Sequence, residues 1–303
     1  MKNKLFSGVY PASFSVYDEN MKVIVPTVEK IINWQLACGV KGFYVGGHTG
    51  ECQVLPQRTR IEMLEVVKNT VGDRGKVFAH VGSGRMEDVL ELTRYADSIG
   101  VDAVSSMAPA MMPYYNDEET LEYYRMIAAN TSKPVLAYVT PALSNPVQFM
   151  EKAMQIDHVI GAKITIPNYY AFEQVLQING GDLNVFNGPD ETMVCGLALG
   201  ADGAIGTTYN FAPELAVGIY NDFVSGKIAS AREKQFKLDK LISIGIRHGG
   251  SAAYWKAYMT LLGFDMGIVV APRHNLDKEE MKAFEKEAVA LGLYEVNDMT
   301  KLK

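Results

Sequence analysis

The chain has 303 residues, 48% of them apolar and 21% charged, which are ordinary globular proportions that exclude disordered and fibrous classes. Its 29 Lys and Arg against 35 Asp and Glu give a net charge of −6, so no positive field exists to hold a phosphate backbone and nucleic acid is not an expected partner. Three cysteines, Cys38, Cys52 and Cys195, stand far apart without CxxC spacing, which argues against a disulfide framework or a thiolate zinc site and fits a reducing cytoplasm.

At the N-terminus the apolar stretch is broken by Ser7, Gly8 and Pro11 before a signal-peptide core can form. No later run approaches the roughly 18 apolar residues of a membrane span, so a soluble protein without a membrane partner is expected. From there short apolar runs alternate with longer stretches of helical period. Strands are predicted at 8–10, 42–45, 77–81, 103–107, 135–139, 160–164, 183–186 and 204–206. Each is mostly apolar throughout, as strands read when both faces are buried in a parallel sheet. Helical stretches at 21–37, 58–69, 86–99 and 118–130 occupy gaps between them. Strand then helix, eight times over, predicts an α/β fold of the (β/α)8 TIM-barrel type, with a doubly wound open sheet as the alternative. After Pro213 the pattern turns to helix alone, at 214–224, 229–246, 252–262 and 278–291, with Pro272 and Asn275 as breakers. No linker separates this C-terminal helical extension from the barrel. A single catalytic unit is therefore expected, with the barrel in 1–225 and the extension in 226–303.

The active site of such a barrel lies at the C-terminal ends of the strands, and polar residues at five strand ends stand out. The sixth predicted strand, VIGAKIT, carries Lys163 inside an apolar run. Burial disfavours an ammonium and lowers a lysine pKa by up to about 3–5 units, which frees an amine to attack carbonyls. A strand-end lysine can equally snorkel to solvent. The fifth strand ends in YVTPALS with Tyr138, either a core tyrosine or, one strand before Lys163, a proton shuttle. After the second strand, GGHTGE brings Gly47, His48 and Thr49 into a turn whose N–H groups can converge on an anion such as a carboxylate, or which merely joins strand to helix. The seventh and eighth strands end in FNGPDE and GAIGTTYN, where Asp190 and Glu191 could bind hydroxyls or cap the next helix at its positive end. His80 and His158 read as structural, and no His or further Asp falls at metal-ligand spacing, so a metal-centred mechanism is disfavoured.

Together and in this order, GGHTGE, YVTPALS, GAKIT, FNGPDE and ADGAIGTTYN resemble the N-acetylneuraminate lyase and dihydrodipicolinate synthase family of class I aldolases. The resemblance implies a barrel with a helical extension, usually a homotetramer, in which a lysine binds pyruvate as a Schiff base without cofactor or metal. By motif position Lys163 would be that lysine and Tyr138 the proton-transferring tyrosine. Where the synthase branch has an arginine after the tyrosine motif, this chain has Leu143, which cannot bind a carboxylate. The PALS string and Asn187, Gly188, Asp190 and Glu191 resemble the lyase branch, where that region holds a polyhydroxylated tail. Thr165 and Thr207 fall where that branch places substrate-contacting hydroxyls. Two departures stand out: His48 replaces the branch's usual serine, and Met111 and Met112 stand where tyrosines are common. The implied activity is cleavage of a 2-oxo sugar acid, N-acetylneuraminate first, to pyruvate and an aldose. Alternatives are a sister aldolase or dehydratase on another 2-oxo-3-deoxy sugar acid, a synthase-like condensation, and a non-catalytic sugar-acid binder.

Overall fold

In the computed structural model, which describes residues 4–108 and 115–302, the eight apolar runs form eight parallel strands. These are β1 (Gly8–Pro11), β2 (Gly42–Val45), β3 (Lys76–His80), β4 (Ala103–Ser106), β5 (Val135–Val139), β6 (Val159–Ile164), β7 (Asn184–Asn187) and β8 (Gly203–Gly206). Apart from Lys76, Tyr138 and Ile160 every strand position is buried, which is why the runs lack polar alternation. The strands pair in the order β1-β8-β7-β6-β5-β4-β3-β2. The remaining edge is joined where Lys41 N–H donates to the Val9 carbonyl at 3.0 Å and Ser13 N–H to the Tyr44 carbonyl at 2.9 Å. The predicted (β/α)8 barrel is thus present.

Helices α1 (Val25–Ala37), α2 (Gln57–Val71), α3 (Met86–Ser98), α4 (Asp117–Ala128), α5 (Pro146–Ala153), α6 (Tyr169–Gln177), α7 (Met193–Leu199) and α8 (Pro213–Val224) follow the strands in turn. The first begins later than its expected start at residue 21. Pro26 sits in the first turn, where its missing N–H costs nothing, and the preceding residues form a turn with Met21 at φ 62° and a bridge between Tyr17 and Val23.

Two apolar cores result. Inside the barrel, Phe78 lies between Tyr10, stacked at 4.6 Å, and Phe6, edge-on at 4.7 Å, with Phe186 edge-on to Tyr10 at 5.3 Å. The larger core lies between sheet and helices and continues into the extension through Leu238, Tyr258 and Phe284.

The extension comprises α9 (Ile228–Arg247), α10 (Ala252–Leu261) and α11 (Lys278–Ala290). It is pinned to the strand ends by polar bonds as well as packing. Gln235 on α9 donates to the Asp190 carbonyl at 3.0 Å and accepts the Val194 N–H at 3.3 Å, while Lys256 on α10 pairs with Glu51 at 3.0 Å. Among the described residues, no helix is long and apolar enough to cross a membrane.

Candidate active site

Strand register brings the two expected catalytic side chains together: Tyr138 on β5 pairs with Lys163 on β6. Lys163 is 6% exposed, so it does not snorkel; its Nζ stands 4.6 Å from the centre of the Tyr138 ring and 5.1 Å from that of Tyr44. The ammonium or amine therefore rests among aromatic faces. Tyr138 is itself held by Tyr124 of α4, whose hydroxyl accepts the Tyr138 N–H at 2.8 Å and donates to the Ser106 carbonyl. Thr165, two residues beyond the lysine, places its Oγ1 3.5 Å from the Tyr138 phenol.

The GGHTGE turn splits its residues between two environments. Thr49 Oγ1 lies 2.7 Å from Thr207 Oγ1, so the turn after β2 meets the end of β8 across the barrel mouth. His48 opens to solvent, yet the surrounding mouth and the positive charges of Lys163 and Arg273 hold its imidazole below the ordinary value. Gly47 is buried against the Tyr44 ring. Glu51, the last residue of the motif, faces away from the mouth into a closed site. There it accepts from the Tyr17 phenol at 2.8 Å and pairs with Lys256, whose side chain is 5% exposed.

His80 is structural as expected, and its partners set its tautomer. The Nδ1–H donates to the Gly46 carbonyl at 3.0 Å, while Nε2 accepts the Met107 N–H at 3.0 Å. An imidazole used this way must be neutral, and burial together with the nearby Arg60 charge keeps its pKa well below the usual range.

The remaining predicted residues line one pocket of about 550 Å³ at the ends of β6, β7 and β8. Thr165, Gly188, Asp190, Glu191 and Thr207 all contribute to it. Only glycine fits at 188: a Cβ there would fall 1.9 Å from Thr165 Oγ1, so the missing side chain lets the β7 turn close over β6. Asp190 does not cap the following helix. Its carboxylate accepts the Thr208 N–H at 2.6 Å, and burial pushes its pKa up to about 6, against the opposing pull of that bond and of Lys163. Leu143 packs against the outer core. Met111 and Met112 lie outside the described residues. Among the described residues, no cluster of three or more His, Cys, Asp or Glu could hold a metal ion.

Sequence reasoning missed Tyr44, read only as part of a strand, although its alternation with Phe43 already turned it toward the barrel interior. It also missed Ile242, Ile246 and Trp255 of the extension, which form part of the pocket wall. Their helical spacing was visible, but nothing in it indicated which way that face turns.

A parallel barrel with a buried lysine beside a tyrosine, opening into a hydroxyl-lined pocket at its strand ends, defines a (β/α)8 enzyme with carbonyl chemistry. Residues 5–291 match the Dihydrodipicolinate synthetase family, and the chain belongs to that family. It is a carbon–carbon lyase of the aldolase type, a class that works through a lysine Schiff base without a metal cofactor. Among its relatives, the N-acetylneuraminate lyase of Rhizobium meliloti is 30% identical over 288 residues, 93% of this chain and 94% of the relative. The solved sialic acid aldolase of Ruminococcus gnavus is 29% identical with a TM-score of 0.88, covering 94% of this chain and 97% of that one. The N-acetylneuraminate lyase of Aliivibrio salmonicida is 27% identical with a TM-score of 0.89, covering 96% and 98%.

Proposed function

We propose that the protein cleaves a 2-oxo sugar acid, N-acetylneuraminate first among them, to pyruvate and N-acetylmannosamine through a Schiff base on Lys163. The observation that carries this reading is the pairing of a buried Lys163 with Tyr138 across β5 and β6, beside a pocket lined by Thr165, Gly188, Asp190, Glu191 and Thr207. The names of the relatives support the substrate, and one solved form of the Ruminococcus gnavus aldolase is a catalytic lysine mutant.

The amine of Lys163 attacks the C2 ketone of the open-chain acid and water leaves, giving an iminium. The substrate carboxylate rests on the turn of Gly47, His48 and Thr49. Tyr138, acting with that carboxylate, takes the C4 hydroxyl proton as the C3–C4 bond breaks; the bond's electron pair moves into the iminium and leaves an enamine of pyruvate. The aldose departs, C3 is protonated, and water hydrolyses the imine to free pyruvate and the lysine. Asp190, Glu191, Gly188, Thr165 and Thr207 hold the hydroxylated end, and a site built to pair hydroxyls rejects analogues that lack them. Barrel and extension act as one catalytic unit in this reading, since residues of both line the pocket. The working form is a cytoplasmic homotetramer, which light scattering of the purified protein tests.

Incubation with N-acetylneuraminate and borohydride, followed by intact mass and peptide mapping, tests the proposal. A pyruvate-sized adduct on Lys163 supports imine formation and C–C cleavage together. No adduct from the sialic acid, with pyruvate alone still trapped, moves the substrate to another sugar acid and makes His48 the first position to replace.

A further inference from the structure

Two aromatic rings face the amine of Lys163, and the reaction proposed above uses only one of them. Tyr138 moves a proton. Tyr44, buried on β2, has its hydroxyl engaged already, donating to Ser105 Oγ of β4 at 3.0 Å. Burial holds that phenol well above its ordinary pKa, so it stays neutral and takes no part in proton transfer. What meets the lysine is its ring: Nζ stands over it, 5.1 Å from the centre. The ring is held from other sides as well. The turn after β2 closes on it so tightly that a Cβ on Gly47 would fall 2.7 Å from Tyr44 Cε1, and the His80 ring stands 5.9 Å away on β3. One ring therefore touches both the amine that takes C2 of the acid and the turn on which its carboxylate rests.

The charge balance of the reaction gives that contact a chemical use. A neutral amine condensing with a ketone takes up one proton and releases water, so the nitrogen of the iminium is positive. Among the described residues Lys163 forms no ion pair, and apart from the substrate's own carboxylate the new cation meets ring faces. The quadrupole of a ring attracts a cation held over its face within about 6 Å, most strongly where water is excluded, and Lys163 is 6% exposed. That attraction vanishes when C–C cleavage moves an electron pair into the iminium and leaves a neutral enamine. We propose that the ring face of Tyr44 stabilises the iminium on Lys163 and so raises the share of the enzyme held as Schiff base. This rests on the Schiff-base reading above and deepens it. Tyr44 is then a catalytic residue through its π-face, with no role for its hydroxyl.

The test varies the electronics of the ring while keeping its shape. Tyr44→Phe, which lacks only the hydroxyl, is the reference, and the mono-, di- and trifluoro derivatives of phenylalanine are placed at the same position. Each fluorine withdraws electron density from the ring face. The pyruvate concentration giving half-maximal borohydride trapping on Lys163 should rise stepwise along the series, by about tenfold at the trifluoro ring. For cleavage of N-acetylneuraminate, KM should rise in parallel while kcat changes less, because the charge is already discharged in the enamine. A merely structural ring would not follow the fluorine count. Tyr44→Leu removes the face altogether and should match or exceed the trifluoro loss; the fluorinated rings keep the test decisive where that variant fails to fold. Equal half-saturation along the series, or a loss that appears in kcat alone, overturns the role of Tyr44 and leaves the lysine chemistry standing. Failure of the wild-type protein to trap pyruvate on Lys163 defeats the Schiff-base reading, and the role of Tyr44 with it.

Discussion

The two sides of the barrel mouth are built by different means. Around Lys163 and Tyr138 the side chains are set by strand register and by aromatic rings fixed in the barrel wall, so hardly anything there depends on a loop. Around Asp190 and Glu191 the position is set by a turn that the extension holds from outside, through Gln235 to the Asp190 carbonyl and the Val194 N–H. The first arrangement suits a reaction centre, which must be placed to within a fraction of an ångström; the second suits selection, because altering a helix of the extension changes the pocket without moving a strand.

Breaking the first side should have the largest effect. Lys163→Ala should lose at least about a thousandfold in turnover, since it removes the covalent route, together with all borohydride trapping. An unmodified fold with a normal rate would take the Schiff base out of the account. Tyr138→Phe should slow C–C cleavage by about 10² to 10⁴ while slowing pyruvate trapping much less. Equal losses in both assays would reduce the tyrosine to a positioning role.

The link between the regions can be broken as well. Lys256→Met leaves Glu51 buried without its partner, and urea unfolding should show a loss of about 3–5 kcal/mol. A loss well under about 1 kcal/mol would mean that Glu51 is solvated or neutral in the fold. The smallest effect concerns the selective side. The Asp190 pKa of about 6 lies above the unfolded value near 3.9, so the folded chain holds the extra proton between those limits. Stability should therefore fall by up to about 3 kcal/mol as pH rises through that window, and Asp190→Asn should remove the slope. If the ionised carboxylate binds substrate hydroxyls, kcat/KM should also drop below about pH 6, an acid limb that the Asn variant lacks.

The contrast also explains what could be read from the sequence. The eight strands were recognisable because a doubly buried parallel strand must be mostly apolar along its length, and Gly42–Val45 and Val135–Val139 are. Lys163 was recognisable because it is the charge that breaks such a run. Asp190 and Glu191 were located, but not the roles of their two environments: Asp190 is buried and tied to Thr208, while Glu191 is exposed, and those are contacts across the chain. Glu51 belonged to a motif that looked like one anion-binding turn, yet its side chain turns away to a lysine of α10. Ile242 and Ile246 were visible as an apolar helical stripe, but a stripe carries no information about which surface it covers.

The Glu51–Lys256 pair has a consequence for how the molecule opens. Both charges are almost fully enclosed, and Lys256 also donates to the Ile268 carbonyl at 2.7 Å. A fluctuation that exposes one of them must expose the other, because separating them inside the protein costs more than hydrating both together. The turn at 46–51 and helix α10, near opposite ends of the chain, should therefore exchange their amide hydrogens as one cooperative unit with a shared protection factor. Mild heating that loosens the last third of the chain would then release the mouth turn while the strands beneath it stay closed.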